Sequence, residues 1–204
     1  MKLIGLTGGV GTGKSKAAEI LTKSGLRMID TDELARQLVA AGEPALGEIE
    51  KEFGPDVLLP DGGLDRTKLA RVVFRDPVKR RALESILHPR IRGLWERQAD
   101  LWRREGCSVG VVVIPLLFET DSAAAFDAVI CVACSASLQR ERLKLRGWTV
   151  EESVQRISSQ WPVEKKTGLA TYVVWNESSI AILEAQLRRI LGSAGLTVRP
   201  IAES

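Results

Sequence analysis

The octet Gly8-Gly9-Val10-Gly11-Thr12-Gly13-Lys14-Ser15 places glycines, one lysine and one hydroxyl in the spacing G-x-x-x-x-G-K-[ST]. Glycines let the backbone curl so that successive N–H groups converge. The positive end of a following helix adds to their attraction for anionic phosphate. Lys14 is then placed to reach the β- and γ-phosphates of a nucleotide, and the Ser15 hydroxyl to ligate Mg²⁺. Asp30 and Asp32 flank Thr31. A carboxylate there suits a general base or water-mediated metal ligation, and one of the two can instead cap the next helix. Glu119 either acts near the same site or is an exposed acid at a helix start. Arg140, Arg142, Arg146, Arg156, Lys165 and Lys166 lie in one helical stretch. Together they can close over phosphates, neutralise charge during phosphoryl transfer and exclude water; singly, each also reads as helix surface.

These groups need a scaffold of strands and helices. Lys2 to Thr7 reads as a buried strand leading into the loop, and Lys16 to Lys23 as a helix ended by Gly25. Leu26–Ile29 is a second strand that delivers Asp30 and Asp32 at its C-terminal end, where open α/β sheets place ligand sites. Glu33–Val39 begins a helix. Further helices are expected over 45–54, 66–75 and 78–104, the last with a break near His88-Pro89, where the single histidine caps, packs or takes a role. Gly110–Ile114 is apolar throughout, as a strand covered on both faces should be. Phe126–Val132 and Ala170–Trp175 complete about five strands. A helix over 178–192 follows, and the tail from about residue 195 is expected to be loose. Strands alternating with helices predict a three-layer α/β fold around a parallel sheet.

Composition narrows the function classes. The chain has 204 residues, of which 45% are hydrophobic and 27% charged, with a formal net charge of +3. That suits one α/β domain and an anionic ligand without requiring nucleic acid. Between Arg66 and Arg104 stand 12 Lys or Arg against 4 Asp or Glu, either a solvated helical face or a surface for an anionic acceptor. Trp95 and Trp102, a heptad apart, read as packing residues. The lone Cys131-Val132-Ala133-Cys134 reads as small buried thiols rather than a redox or metal motif. No apolar run has membrane-spanning length. The short apolar N-terminal stretch leads into the loop rather than forming a signal peptide, so a cytoplasmic protein is expected. The absence of an Asn-Lys-x-Asp stretch argues against a guanine-reading switch.

The order of these motifs resembles the dephospho-coenzyme A kinases, P-loop kinases. The resemblance runs from Lys2 to about Leu191. It rests on Leu6 to Ser15, Ile29-Asp30-Thr31-Asp32, Leu87-His88-Pro89, Pro115-Leu116-Leu117-Phe118-Glu119, the Arg142 to Arg146 spacing, Arg156-Ile157 with Gln160, and Tyr172-Val173-Val174-Trp175-Asn176. It implies ATP-dependent phosphorylation of the ribose 3′-hydroxyl of dephospho-CoA, with Mg²⁺. It implies a single domain over 1–200, with a nucleotide-binding core at about 1–40 and 107–192, a helical CoA-side subdomain at about 41–106 and a lid at about 138–166. By the same resemblance Asp32 is the general base, and Lys14, Arg142 and Arg146 are catalytic. Gly9, Gly11, Thr12, Gly13, Lys14, Ser15, Lys16 and Asn176 would bind ATP, with Ser15 on the metal. Thr7, Asp32, His88, Pro115, Leu116 and Glu119 would face the acceptor. The expected partner is the small-molecule acceptor dephospho-CoA, with no nucleic acid and no membrane; the sequence leaves the oligomeric state open and a monomer is favoured. Three positions depart from the family's usual residues: Lys16 for Thr, Thr171 for Asp, and Glu177 for Asn or Gly.

Overall fold

The computed structural model describes residues 1–193, and the expectation for the tail from about residue 195 lies outside the described residues. In chain order the elements are β1 (Lys2–Gly8), α1 (Lys14–Lys23), β2 (Arg27–Asp30), α2 (Thr31–Leu38), α3 (Pro44–Phe53), α4 (Arg66–Arg75), α5 (Pro77–Arg104), β3 (Val109–Val113), β4 (Ala128–Ala133), α6 (Ala136–Leu145), α7 (Val150–Ser158), α8 (Val163–Leu169), β5 (Tyr172–Trp175) and α9 (Ile180–Ser193). Their boundaries follow local chemistry. Gly25 stands just past α1 at φ +82° and closes it, the Leu26 N–H reaching back to the Leu21 carbonyl at 3.2 Å. The Asp65 carboxylate accepts from the Lys68 N–H at 3.0 Å and caps α4, a bond that also lowers its pKa. Thr149 and Glu152 form a reciprocal capping box on α7.

The five strands form one sheet in the order β2-β3-β1-β4-β5, with β1–β3, β1–β4 and β4–β5 parallel. Ile4 and Leu6 of β1, Val111 and Val113 of β3, and Ile130 and Val132 of β4 face one way. They bury against Ala17, Ile20 and Leu21 of α1 and Leu183 and Leu187 of α9. The opposite face is covered as well. A side chain at Gly110 would run into the Trp102 ring, and one at Gly5 into Leu117 and Phe126. Coverage on both faces explains why β3 is buried along its whole length and apolar throughout. The fold is the expected three-layer α/β arrangement.

The chain divides into two compact units, one made of Met1–Ile29 with the chain from Leu101 onward, the other of Asp30–Asp100. The second is helical. Its core gathers Val39, Ile49, Val57 and Leu69, with Phe53, Leu64, Leu83 and Leu87 packed against them. Trp95 and Trp102 are both buried, as expected of packing residues.

The break expected near His88-Pro89 does not occur: α5 runs unbroken through Pro89 for 28 residues. Proline removes one backbone bond, the one to the Ser85 carbonyl four residues earlier. Both Ser85 and Pro89 lie on the exposed side, where water can replace that bond. The next turn is reinforced, because Arg90 donates to the Ile86 carbonyl at 2.6 Å and to Glu48 at 2.5 Å. Among the described residues, no helix is long and apolar enough to cross a membrane.

Candidate active site

The loop from Gly8 to Ser15 leaves the C-terminal end of β1, the central strand. Chain order reverses there, with β3 and β2 on one side and β4 and β5 on the other, which is where parallel α/β sheets open a ligand crevice. Two glycines are obligatory for steric reasons. Gly13 sits at φ +100°, and a Cβ there would collide with the Asn176 amide; one at Gly8 would strike the Val132 carbonyl. Gly13 is the N-cap of α1 and brings no side chain to cap that helix's N-terminus. An uncapped start behind a glycine-rich loop is suited to holding an anion.

Inside the curl, the Lys14 ammonium donates to the carbonyls of Gly8 at 2.9 Å and Gly9 at 3.1 Å. The buried Thr12 hydroxyl donates to the same Gly9 carbonyl at 2.9 Å. The outside of the loop is gripped from the C-terminal half of the chain. Asn176 donates to the Thr12 carbonyl at 2.9 Å, and Arg142 spans the carbonyls of Thr12, at 3.3 Å, and Asn176, at 2.9 Å. Gln139 donates to the Val10 carbonyl at 2.6 Å, and Gln160 accepts from the Val10 N–H at 2.9 Å.

Below the loop, the Thr7 hydroxyl donates to the Pro115 carbonyl at 3.2 Å, and the Lys166 ammonium donates to it at 2.8 Å. Lys166 also meets Glu119 at 2.7 Å, and Glu119 accepts from the Trp161 N–H at 2.8 Å. Glu119 is therefore largely buried in an ion pair and is not an exposed acid at a helix start. Leu116 is half-buried, and its carbonyl accepts from Thr120 at 2.8 Å. Cys131, paired in register with Thr7, is buried, and that burial pushes its thiol up to about 11. Burial raises Cys134 too. Both remain inert thiols at neutral pH, as the sequence suggests.

The first unit thus brings together Thr7, Gly9, Gly11, Thr12, Gly13, Lys14, Ser15, Pro115, Arg142 and Asn176. Arg146 stands exposed at the end of α6. The Lys16 ammonium is engaged along α1 by Glu19 at 2.5 Å, and Lys23 reaches the same carboxylate at 2.8 Å. The two lysines bring the Glu19 pKa down to about 2. The other departures from family residues are accommodated locally. The Thr171 hydroxyl accepts from the Val129 N–H at 3.0 Å, and Glu177 accepts from the N–H and hydroxyl of Ser135 at the start of α6.

The second unit holds Asp32 and His88. The two aspartates separate by role: the Asp30 carboxylate accepts from the Asp32 N–H at 2.8 Å and caps α2, leaving Asp32 exposed in its first turn. Asp32 lines a cleft of about 280 Å³ with Arg36, Val39, Leu64, Arg66 and Leu87. The Arg66 guanidinium donates to the Arg36 carbonyl at 3.3 Å, so both arginines border the same cleft. His88 is half-buried on α5; its neighbour Leu87 lines the cleft. No cluster of three or more His, Cys, Asp or Glu able to cage a metal occurs among the described residues. A magnesium ion that is held mainly by nucleotide phosphates and water needs no such cage, so one hydroxyl at Ser15 fits it.

Sequence reasoning gave no individual role to Gln139, Gln160 or Lys166. Gln160 carries no chemical signal in isolation, and Lys166 looks like any other cation in a basic stretch.

The family model described as CoaE: Dephospho-CoA kinase matches residues 2–181. The chain belongs to the dephospho-CoA kinase family. A dephospho-CoA kinase of Bdellovibrio bacteriovorus is 40% identical over 191 residues, which cover 94% of this chain and 95% of that one. A solved structure from Thermus thermophilus matches with a TM-score of 0.81 at 36% identity, covering 96% of this chain and 98% of the other. Dephospho-CoA kinase from Campylobacter jejuni matches with a TM-score of 0.70 at 25% identity, covering 94% and 96%. As a member of the dephospho-CoA kinase family, the chain is a transferase with a nucleotide donor and a small-molecule substrate.

Proposed function

We propose that the protein transfers the γ-phosphoryl group of ATP to the ribose 3′-hydroxyl of dephospho-CoA, completing coenzyme A. The observation that carries this reading is an intact phosphate-binding loop in a chain matched over nearly its whole length by dephospho-CoA kinases.

In this mechanism the loop N–H groups and Lys14 hold the β- and γ-phosphates, and Asn176 and Arg142 brace the loop from outside on the adenine side. Asp32 orients the 3′-hydroxyl and accepts its proton as the oxygen attacks phosphorus in line. Arg36 and Arg66, bordering the Asp32 cleft, supply positive charge for the anionic acceptor. Arg146, exposed at the end of α6, offsets the charge that develops on the leaving phosphate. Ser15 would hold Mg²⁺, which when bound would supply neutralising charge to the transferring phosphoryl group. Thr7, Pro115, Leu116 and His88 shape the acceptor side, and Glu119 acts there through Lys166. The core at about 1–40 and 107–192 carries the donor, and the helices at about 41–106 receive the acceptor. The working protein is a cytoplasmic monomer.

The test is ADP release with dephospho-CoA, nucleoside monophosphates and small hydroxyl metabolites offered separately. Turnover confined to dephospho-CoA is expected. Preference for another acceptor would make the protein a different small-molecule kinase.

A further inference from the structure

Both polar groups of one loop residue are held by side chains from distant parts of the chain. The Val10 N–H is accepted by Gln160, two residues past the end of α7, and the Val10 carbonyl receives Gln139 from α6. A backbone N–H only donates and a carbonyl only accepts, so the orientation of each glutamine amide is forced.

The two bonds act on successive peptide planes. Described peptides are trans, so the N–H and C=O of each plane point in opposite directions. Gln160 draws the N–H of the Gly9–Val10 plane outward, which turns the Gly9 carbonyl inward. That carbonyl is the one receiving Lys14 at 3.1 Å and the Thr12 hydroxyl at 2.9 Å. Gln139 draws the carbonyl of the Val10–Gly11 plane outward, which turns the Gly11 N–H to the opposite side. The pair therefore sets both a perch for the loop lysine and the aim of a loop N–H. Gln139 is nearly buried, and a side chain on Gly9 would press on its amide. The turn carrying Gln160 is itself fixed, since the next residue, Trp161, donates its N–H to Glu119 in the Lys166 ion pair.

We propose that Gln139 and Gln160 are positioning residues for the nucleotide-binding loop: one as an obligatory donor, the other as an obligatory acceptor, they orient the two peptides on either side of Val10 and thereby place Lys14 and the Gly11 N–H. The inference rests on the nucleotide-binding reading of the loop and touches neither reactant.

The test exchanges donor and acceptor at each position: Gln139→Lys, Gln139→Glu, Gln160→Lys and Gln160→Glu. ATP affinity is measured by displacement of a fluorescent ATP analogue, and thermal unfolding reports the fold. A bare charge effect on an anionic nucleotide favours lysine over glutamate at both sites. The expected pattern is crossed. At Gln139, lysine keeps affinity near wild type and glutamate weakens it about tenfold; at Gln160, glutamate is kept and lysine weakens it about tenfold. The same order at both positions, uniform loss or no change in all four overturns the proposal. If the buried Gln139 variants fail to fold, the order at Gln160 alone decides, because charge predicts the reverse there. Wild-type protein that binds no ATP would overturn the functional reading and this inference together; wild-type binding without the crossed pattern overturns the inference alone.

Discussion

Lys166 has no solvent exposure, and its ammonium meets the Glu119 carboxylate at 2.7 Å while also donating to the Pro115 carbonyl. A buried charge that loses its partner destabilises a protein by about 3–5 kcal/mol, whereas removing both partners together is far milder. Lys166→Met is therefore expected to lower the urea midpoint sharply. Adding Glu119→Gln to it should restore part of that loss, and a double-mutant cycle reads the coupling. A double variant as unstable as the sum of the singles would show that the two groups do not act as a pair.

Gly13 and Asn176 are a second tightly fitted couple. At φ +100° any side chain is strained, by about 1–3 kcal/mol, and the Cβ of Gly13→Ala also meets the Asn176 amide. Gly13→Ala should weaken ATP binding, and Asn176→Ala in the same chain should relieve only the steric part. Titration of a fluorescent ATP analogue measures both. Full recovery in the double variant would leave no role for backbone strain.

Asp32 is expected to matter for turnover rather than for donor binding. Asp32→Asn keeps size and hydrogen bonding but cannot take a proton, so kcat should fall by about 10²–10⁴-fold, with ATP affinity nearly unchanged. Steady-state ADP release together with equilibrium ATP binding separates the two quantities. Near-normal turnover in this variant would remove Asp32 from the role of base.

Cys131 gives the fold an alkaline limit. Its thiol titrates near 11 when folded, above an ordinary thiol, because burial disfavours the thiolate. The unfolded chain gives up that proton first, so the contribution to stability is complete below the ordinary thiol value and is lost as pH rises toward 11. Comparing thermal unfolding of wild type and Cys131→Ala between about pH 8 and 11 should show a steeper alkaline decline in the wild type. Parallel curves would contradict the assignment.

The loop, the all-apolar strand and the alternation of strands with helices were legible because each is a local pattern. A glycine-lysine spacing or an unbroken valine run constrains the backbone wherever it occurs. Pro89 misled because a proline removes only one bond, and an exposed position within a long helix tolerates that loss. Asp30 and Asp32 are the same residue type two positions apart, so only the backbone geometry could assign the cap to the first. The contacts of Gln139 and Gln160 with the loop were illegible for a different reason. They meet Val10 across 129 and 150 residues of chain, and no property of a glutamine forecasts that meeting. The buried pairing of Lys166 depends likewise on the path of α8, not on the charge density of its neighbours.

The transfer is defined by the one hydroxyl that receives the phosphate. The phosphorus NMR spectrum of the product formed from ATP, Mg²⁺ and dephospho-CoA as sole acceptor tests it most directly. Stoichiometric ADP and a new phosphomonoester on the ribose 3′-oxygen, identical to that of coenzyme A, are expected. ADP without that phosphomonoester, or phosphate on another hydroxyl, would contradict it.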